Sequence, residues 1–184
     1  MNVLSLADLD WLQGEQLRHD SLAHGDIVRL PMQRQLVHFT LHLAKYQGRL
    51  LKALQADDGE TVQRLITDSF IVLLATANAL GRCLRHTGAS RPVSLTRVRA
   101  SEEVMSAYVE VVGEMARACE AFDDKESFPS HSLLDSSITT LIRIVIDLAN
   151  LSGVALVETV PHRWYQVERM AAGAGRTSRF AEVA

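Results

Sequence analysis

The residues with chemistry to offer begin with a stripe. His38, His42, Lys45 and Arg49 recur at the three- and four-residue spacing that sets side chains on one face of a helix. Two imidazoles, an ammonium and a guanidinium on one face suit a phosphate or another anion held without a metal. His38 and His42 alone, at i and i+4, also have the spacing of a two-histidine metal site. Zinc would need a third ligand there, with Asp68 the candidate, and Lys45 and Arg49 stand next door as repelling charges. Glu110 and Glu114 form an i, i+4 carboxylate pair, which fits metal or acid–base work and equally fits a solvated helix face. Arg143 and Asp147 read as an ion pair inside the molecule. Trp164 and Tyr165, beside Arg163 and Arg169, read as a stacking platform or as a cover for one end of the fold. The other histidines (His19, His24, His86, His131, His162) carry no pattern. No glycine-rich phosphate loop follows a strand, and no G-x-S-x-G appears.

These residues sit on helices. Pro31 opens a long helical stretch to about Ala56, and Asp58 with Glu60 starts the next, which runs to about His86. A third runs from about Ser101 to Phe122 and a fourth from about Leu133 to Leu151, with Gly153 as its stop. Shorter helices flank them, from about Leu6 to Arg18 and from about Pro161 to Met170. The second and fourth long helices are apolar nearly all round, so they belong at the centre, with the two amphipathic ones packed against them. The halves also resemble each other. Ile66-Thr67 matches Ile138-Thr139, Ala77-Asn78 matches Ala149-Asn150, and Gly81 matches Gly153, while Gly48 and Ala53 match Gly113 and Ala118. A duplicated hairpin gives an all-α four-helix bundle from two tandem hairpins, with short flanking helices at both ends. The organisation expected is an N-terminal helix and linker (1–30), a first hairpin (31–86), a linker (87–98), a second hairpin with its closing helix (99–170) and a flexible tail (171–184).

Composition narrows the setting. Hydrophobic residues make up 47% and charged residues 22%, as in a globular protein. A formal net charge of −3 argues against nucleic acid as partner. The most apolar window, Phe70 to Leu80, is too short to span a membrane, and the first residues lack a signal peptide's pattern. Cys83 and Cys119 lack metal-type spacing and read as core residues, so the expectation is a cytoplasmic protein.

Ala44-Lys45-Tyr46-Gln47-Gly48-Arg49-Leu50 has the frame of the A-E-E-x-G-E-L helix of MazG-like all-α nucleotide pyrophosphohydrolases. Leu65-Ile66-Thr67-Asp68, followed by Ala77-Asn78-Ala79-Leu80-Gly81, resembles that family's E-x-x-D helix and its closing A-x-x-L-G. Val111 to Met115 and Leu148 to Gly153 repeat both frames, and Val160 to Trp164 is loosely similar to the basic helix that follows. The resemblance covers about residues 36 to 170, as a tandem, degenerate copy. In the family, four carboxylates hold magnesium on a nucleoside triphosphate, and the metal activates a water. Here Tyr46, Arg49 and Leu65 occupy three of the four positions in the first hairpin, and only Asp68 survives. In the second, Val111, Ser137 and Thr140 occupy three, and only Glu114 survives.

What the resemblance implies is a site in which His42, Lys45, Tyr46, Arg49 and Asp68 bind a nucleotide or another phosphate-bearing small molecule without a cofactor. The positive groups would hold phosphate, Tyr46 would stack, and Asp68 would orient Arg49. An Arg49–Asp68 pair that merely fills an abandoned site is the structural counterpart, and an interaction module, possibly homodimeric, is a further expectation. The alternative is an active magnesium-dependent pyrophosphohydrolase, with Asp68, Glu110 and Glu114, perhaps with Asp135, converging on the metal.

Overall fold

The computed structural model describes residues 4–86, 100–122 and 129–180, with side chains at 4–86, 103–122 and 129–170. The helices are α1 (Leu6–Ala23), α2 (Gly25–Val28), α3 (Met32–Gln55), α4 (Gly59–Ala79), α5 (Ala100–Glu120), α6 (Ser130–Leu151) and α7 (Leu156–Phe180), with a 3₁₀ turn at Leu84–His86. No strand occurs among the described residues.

Local chemistry sets the helix ends. Ser5 caps α1 reciprocally, accepting the Asp8 amide through its hydroxyl while its own amide donates to the Asp8 carboxylate at 2.9 Å. Asp57 takes a left-handed φ of 52° at the end of α3, and Asp58 then accepts the Thr61 amide to start α4. α4 and α6 end alike. Gly81 (φ 64°) and Gly153 (φ 69°) adopt the left-handed conformation open to a residue without Cβ. The Arg82 amide then reaches the Ala77 carbonyl at 2.9 Å, and the Val154 amide reaches that of Ala149 at 2.8 Å. This stop ends α4 at Ala79 rather than near His86, so Cys83 lies exposed beyond it, while Cys119 is buried as expected.

The two hairpins, α3–α4 and α5–α6, pack side by side, α3 against α5 and α4 against α6. Leu36, Leu43 and Leu50 of α3 face Leu65, Phe70 and Leu73 of α4, and the shared core continues through Met115 of α5 and Leu141 of α6. Tyr108 is fully buried there. Its hydroxyl donates to Ser69 Oγ at 3.1 Å, and burial pushes its pKa up to about 12. α1 lies over α4 and α7, and α7 returns over α4.

The flanking helices are longer than their sequences suggest. α1 continues to Ala23, and α7 starts at Leu156, a turn and a half ahead of Pro161. The Thr159 amide already donates to Ala155, so Pro161 falls inside the helix instead of opening it. The linker at 87–98 and most of the loop at 123–130 lie outside the described residues. Of the tail, α7 continues to Phe180, and 181–184 lie outside.

Candidate functional site

α1, α2, α3, α4 and α7 enclose a cavity of about 200 Å³ beside the first hairpin. α1 supplies its polar wall. Leu9 and Leu12 go to the core, but further along the same inward face Gln16, His19 and Asp20 are buried too. Buried polar groups need partners, and α7 provides them. Trp164 Nε1–H donates to Gln16 Oε1 at 2.7 Å, and Gln16 Nε2–H donates to Asp20 Oδ1 at 2.7 Å. Burial raises the Asp20 pKa, partly opposed by that hydrogen bond. His19 stacks on Trp164 and meets Glu168 Oε1 at 3.0 Å through Nδ1. Phe39, Ile71, Val72 and Val167 close the apolar side.

Opposite, α3 turns His38, His42 and Tyr46 into the cavity, and α4 and α7 bring Asp68 and Arg163 to its edge. Arg163 Nε donates to Asp68 Oδ1 at 2.7 Å and Nη2 to Oδ2 at 3.3 Å, a two-pronged pair whose side chains are only 26% and 13% exposed. The partner expected for Asp68 was Arg49. Arg49 instead points to solvent from α3, and Arg163, ninety-five positions from Asp68, takes the carboxylate. The Asp68 hydrogen bond raises the Arg163 pKa further above its ordinary value, so that cation is permanent.

Of the five residues singled out for a ligand, three line the cavity: His42, Tyr46 and Asp68. Lys45 and Arg49 are exposed beside it. Lys45 Nζ lies 4.8 Å from the centre of the Tyr46 ring and donates to His42 Nδ1 at 3.4 Å. The stripe is less basic than its composition suggests. Burial lowers the His42 pKa to about 4, aided by Lys45 and His38, and burial lowers His38 as well. Both rings are therefore neutral near pH 7, 4.5 Å apart. Burial, with Asp68 adding to it, raises the Tyr46 pKa, so its phenol stays protonated.

The carboxylates proposed for magnesium do not converge. Among the described residues no group of three His, Cys, Asp or Glu side chains is arranged to hold a metal ion, so neither the set Asp68, Glu110 and Glu114 nor the set His38, His42 and Asp68 forms one. Glu110 is exposed and Glu114 half-buried on α5, away from the cavity. Asp135 pairs with Arg82 instead. Trp164 is a wall of the cavity, whereas Tyr165 is 58% exposed under Arg169. Asp147 is buried on α6 outside the cavity lining.

His19 and His24 carried no pattern in the sequence, yet they line the cavity with His38 and His42. Gln16 and Asp20 were missed likewise, and Arg163 was read only as a neighbour of Trp164 and Tyr165. The available signal was the run of polar residues on the face of α1 that also holds Leu9 and Leu12. No protein-family model, curated protein or solved structure matches the chain. No single helix among the described residues is long and apolar enough to cross a membrane.

Proposed function

We infer that this chain is a cytoplasmic, non-hydrolytic nucleotide-binding protein, a degenerate MazG-like tandem in which an aromatic cavity and a fixed ion pair stand where the family holds magnesium. The observation that carries the reading is the cavity wall of Phe39, Tyr46 and Trp164 next to the Asp68–Arg163 pair. A nucleobase is flat, apolar on its faces and polar at its edges, so it fits between aromatic walls with Asp68, Gln16 and the neutral imidazoles at its rim. Phosphate would lie outside, towards the exposed Lys45 and Arg49 beside Tyr46. The volume of about 200 Å³ suits a base and part of its ribose rather than a whole triphosphate.

The magnesium-dependent alternative is disfavoured by the same contacts. Asp68 is committed to a guanidinium, and a permanent cation at that position repels a divalent metal.

Trp164 reports on the cavity directly. The chain has two tryptophans, and in a Trp11→Phe background Trp164 is the sole emitter. Its fluorescence is expected to change saturably on adding adenosine or guanosine monophosphate in excess EDTA. An unchanged spectrum with every nucleotide tried would remove the nucleotide reading.

A further inference from the structure

The outer face shared by α3 and α5 carries apolar side chains with no described residue over them. Leu41 is 65% exposed, Leu51 44% and Val109 48%. Leu41, Ala44, Gly48 and Leu51 follow one another at helical spacing along α3, and Val109 and Gly113 do so along α5. A Cβ at Gly48 or Gly113 would meet no atom within 4 Å, so packing inside the chain does not require glycine at either place. Glycine in mid-helix costs about 1 kcal/mol relative to alanine.

Charge is divided across the same face. α3 carries Arg34, Lys45, Arg49 and Lys52 and no acidic residue. α5 carries five glutamates against a single basic residue, Arg117. Arg34, Lys45, Arg49 and Lys52 are all exposed and make no ion pair among the described residues. The two helices run antiparallel. Thr40, early in α3, touches Cys119 at the end of α5 at 3.5 Å, and Tyr46, further along, acts on Tyr108 in the first half of α5.

We propose that this face joins two copies of the chain, α3 of each lying antiparallel over α5 of the other about a two-fold axis parallel to the helices. Complementarity selects that axis. A two-fold across the helices would set α3 on α3, four cations against four, whereas the parallel axis sets each basic helix over an acidic one. The register that puts Thr40 beside Cys119 brings Lys45 of one copy level with Glu114 of the other, and Arg49 level with Glu110. The apolar strip then closes along the centre, where the absent side chains at Gly48 and Gly113 permit close approach. This arrangement leaves the cavity itself open, while its rim includes Lys45 and Arg49, the cations beside Tyr46 towards which phosphate is placed above.

Sedimentation of the full chain tests it with two complementary variants. Lys45→Glu with Arg49→Glu reverses the α3 side of both pairs, and Glu110→Lys with Glu114→Lys reverses the α5 side. Lys45, Arg49 and Glu110 are exposed and Glu114 is half-buried, and circular dichroism checks that each variant stays helical. Wild type is expected at twice 20.4 kDa. Each variant alone is expected to associate at least about tenfold more weakly, because like charges then meet at both pairs. An equimolar mixture of the two is expected to dimerise again, since both contacts become complementary in the heterodimer. A monomeric wild type at high micromolar concentration overturns the proposal. So do variants that dimerise like wild type, which would put the interface elsewhere, or a mixture that fails to reassociate.

Discussion

Asp68 and Arg163 are the pair on which the site depends, and removing one partner is costlier than having neither. Arg163→Ala leaves a mostly buried carboxylate without its two donors, so a loss of about 1–3 kcal/mol is expected in urea unfolding. Arg49→Ala, at the position first read as that partner, is expected to change stability by less than about 0.5 kcal/mol, because its side chain is solvated. His42 gives the pH signature. Its pKa falls from 6.5 to about 4 on folding, so between those values the unfolded chain binds more protons than the folded one. Stability is therefore lost as pH drops through that window and is unaffected by His42 above it. With a half-exposed ring screened by solvent, the loss is about 1–2 kcal/mol at the acid end. Thermal melts of wild type and His42→Gln, compared from pH 7 to pH 4, are expected to diverge in that sense, wild type losing more.

At the scale of elements, what positions the cavity is α1, and what fastens α1 is Gln13. Its side-chain amide donates to Asn78 Oδ1 and to the Arg82 carbonyl, while its oxygen accepts the Leu84 amide at 2.9 Å. Gln13→Ala strips partners from groups in the turn that ends α4, and a loss of about 2 kcal/mol is expected in the same assay. Gly153→Ala is expected to cost about 1 kcal/mol through its left-handed φ of 69° alone, since a Cβ there meets no neighbour within 4 Å. The four bundle helices were legible because their apolar content says how deep each one sits: Leu65 to Leu74 and Leu134 to Leu148 leave little polar face. α1 and α7 were legible only in part. Gln16, His19 and Asp20 look like solvated positions until Trp164 and Glu168 arrive from the far end of the chain to bond them. Pro161 is a common first residue of a helix, and here it misleads by lying inside one.

For the molecule as a whole, the bundle is a frame and the cavity lies where α1 and α7 close over one side of it. Spacing within α3 picked out His38 and His42, which line the cavity, together with Lys45 and Arg49, which do not, and the likeness to a carboxylate motif drew attention to Tyr46 and Asp68. No pattern within one helix names a partner on another, so Arg163 became visible only once α7 packed on α4. The second hairpin ends in the same glycine cap, yet the carboxylate at its motif, Glu114, sits outside the cavity. The proposed reading therefore expects one ligand site per chain. The most direct measurement is isothermal calorimetry of the full chain with nucleoside mono- and triphosphates, in magnesium and in EDTA, on wild type and Arg163→Gln. The account predicts one site per chain, affinity that does not depend on magnesium, and weakening by about tenfold or more in the variant, as for loss of a charged hydrogen-bonding group. Binding that appears only with magnesium and is followed by steady heat of turnover would contradict it.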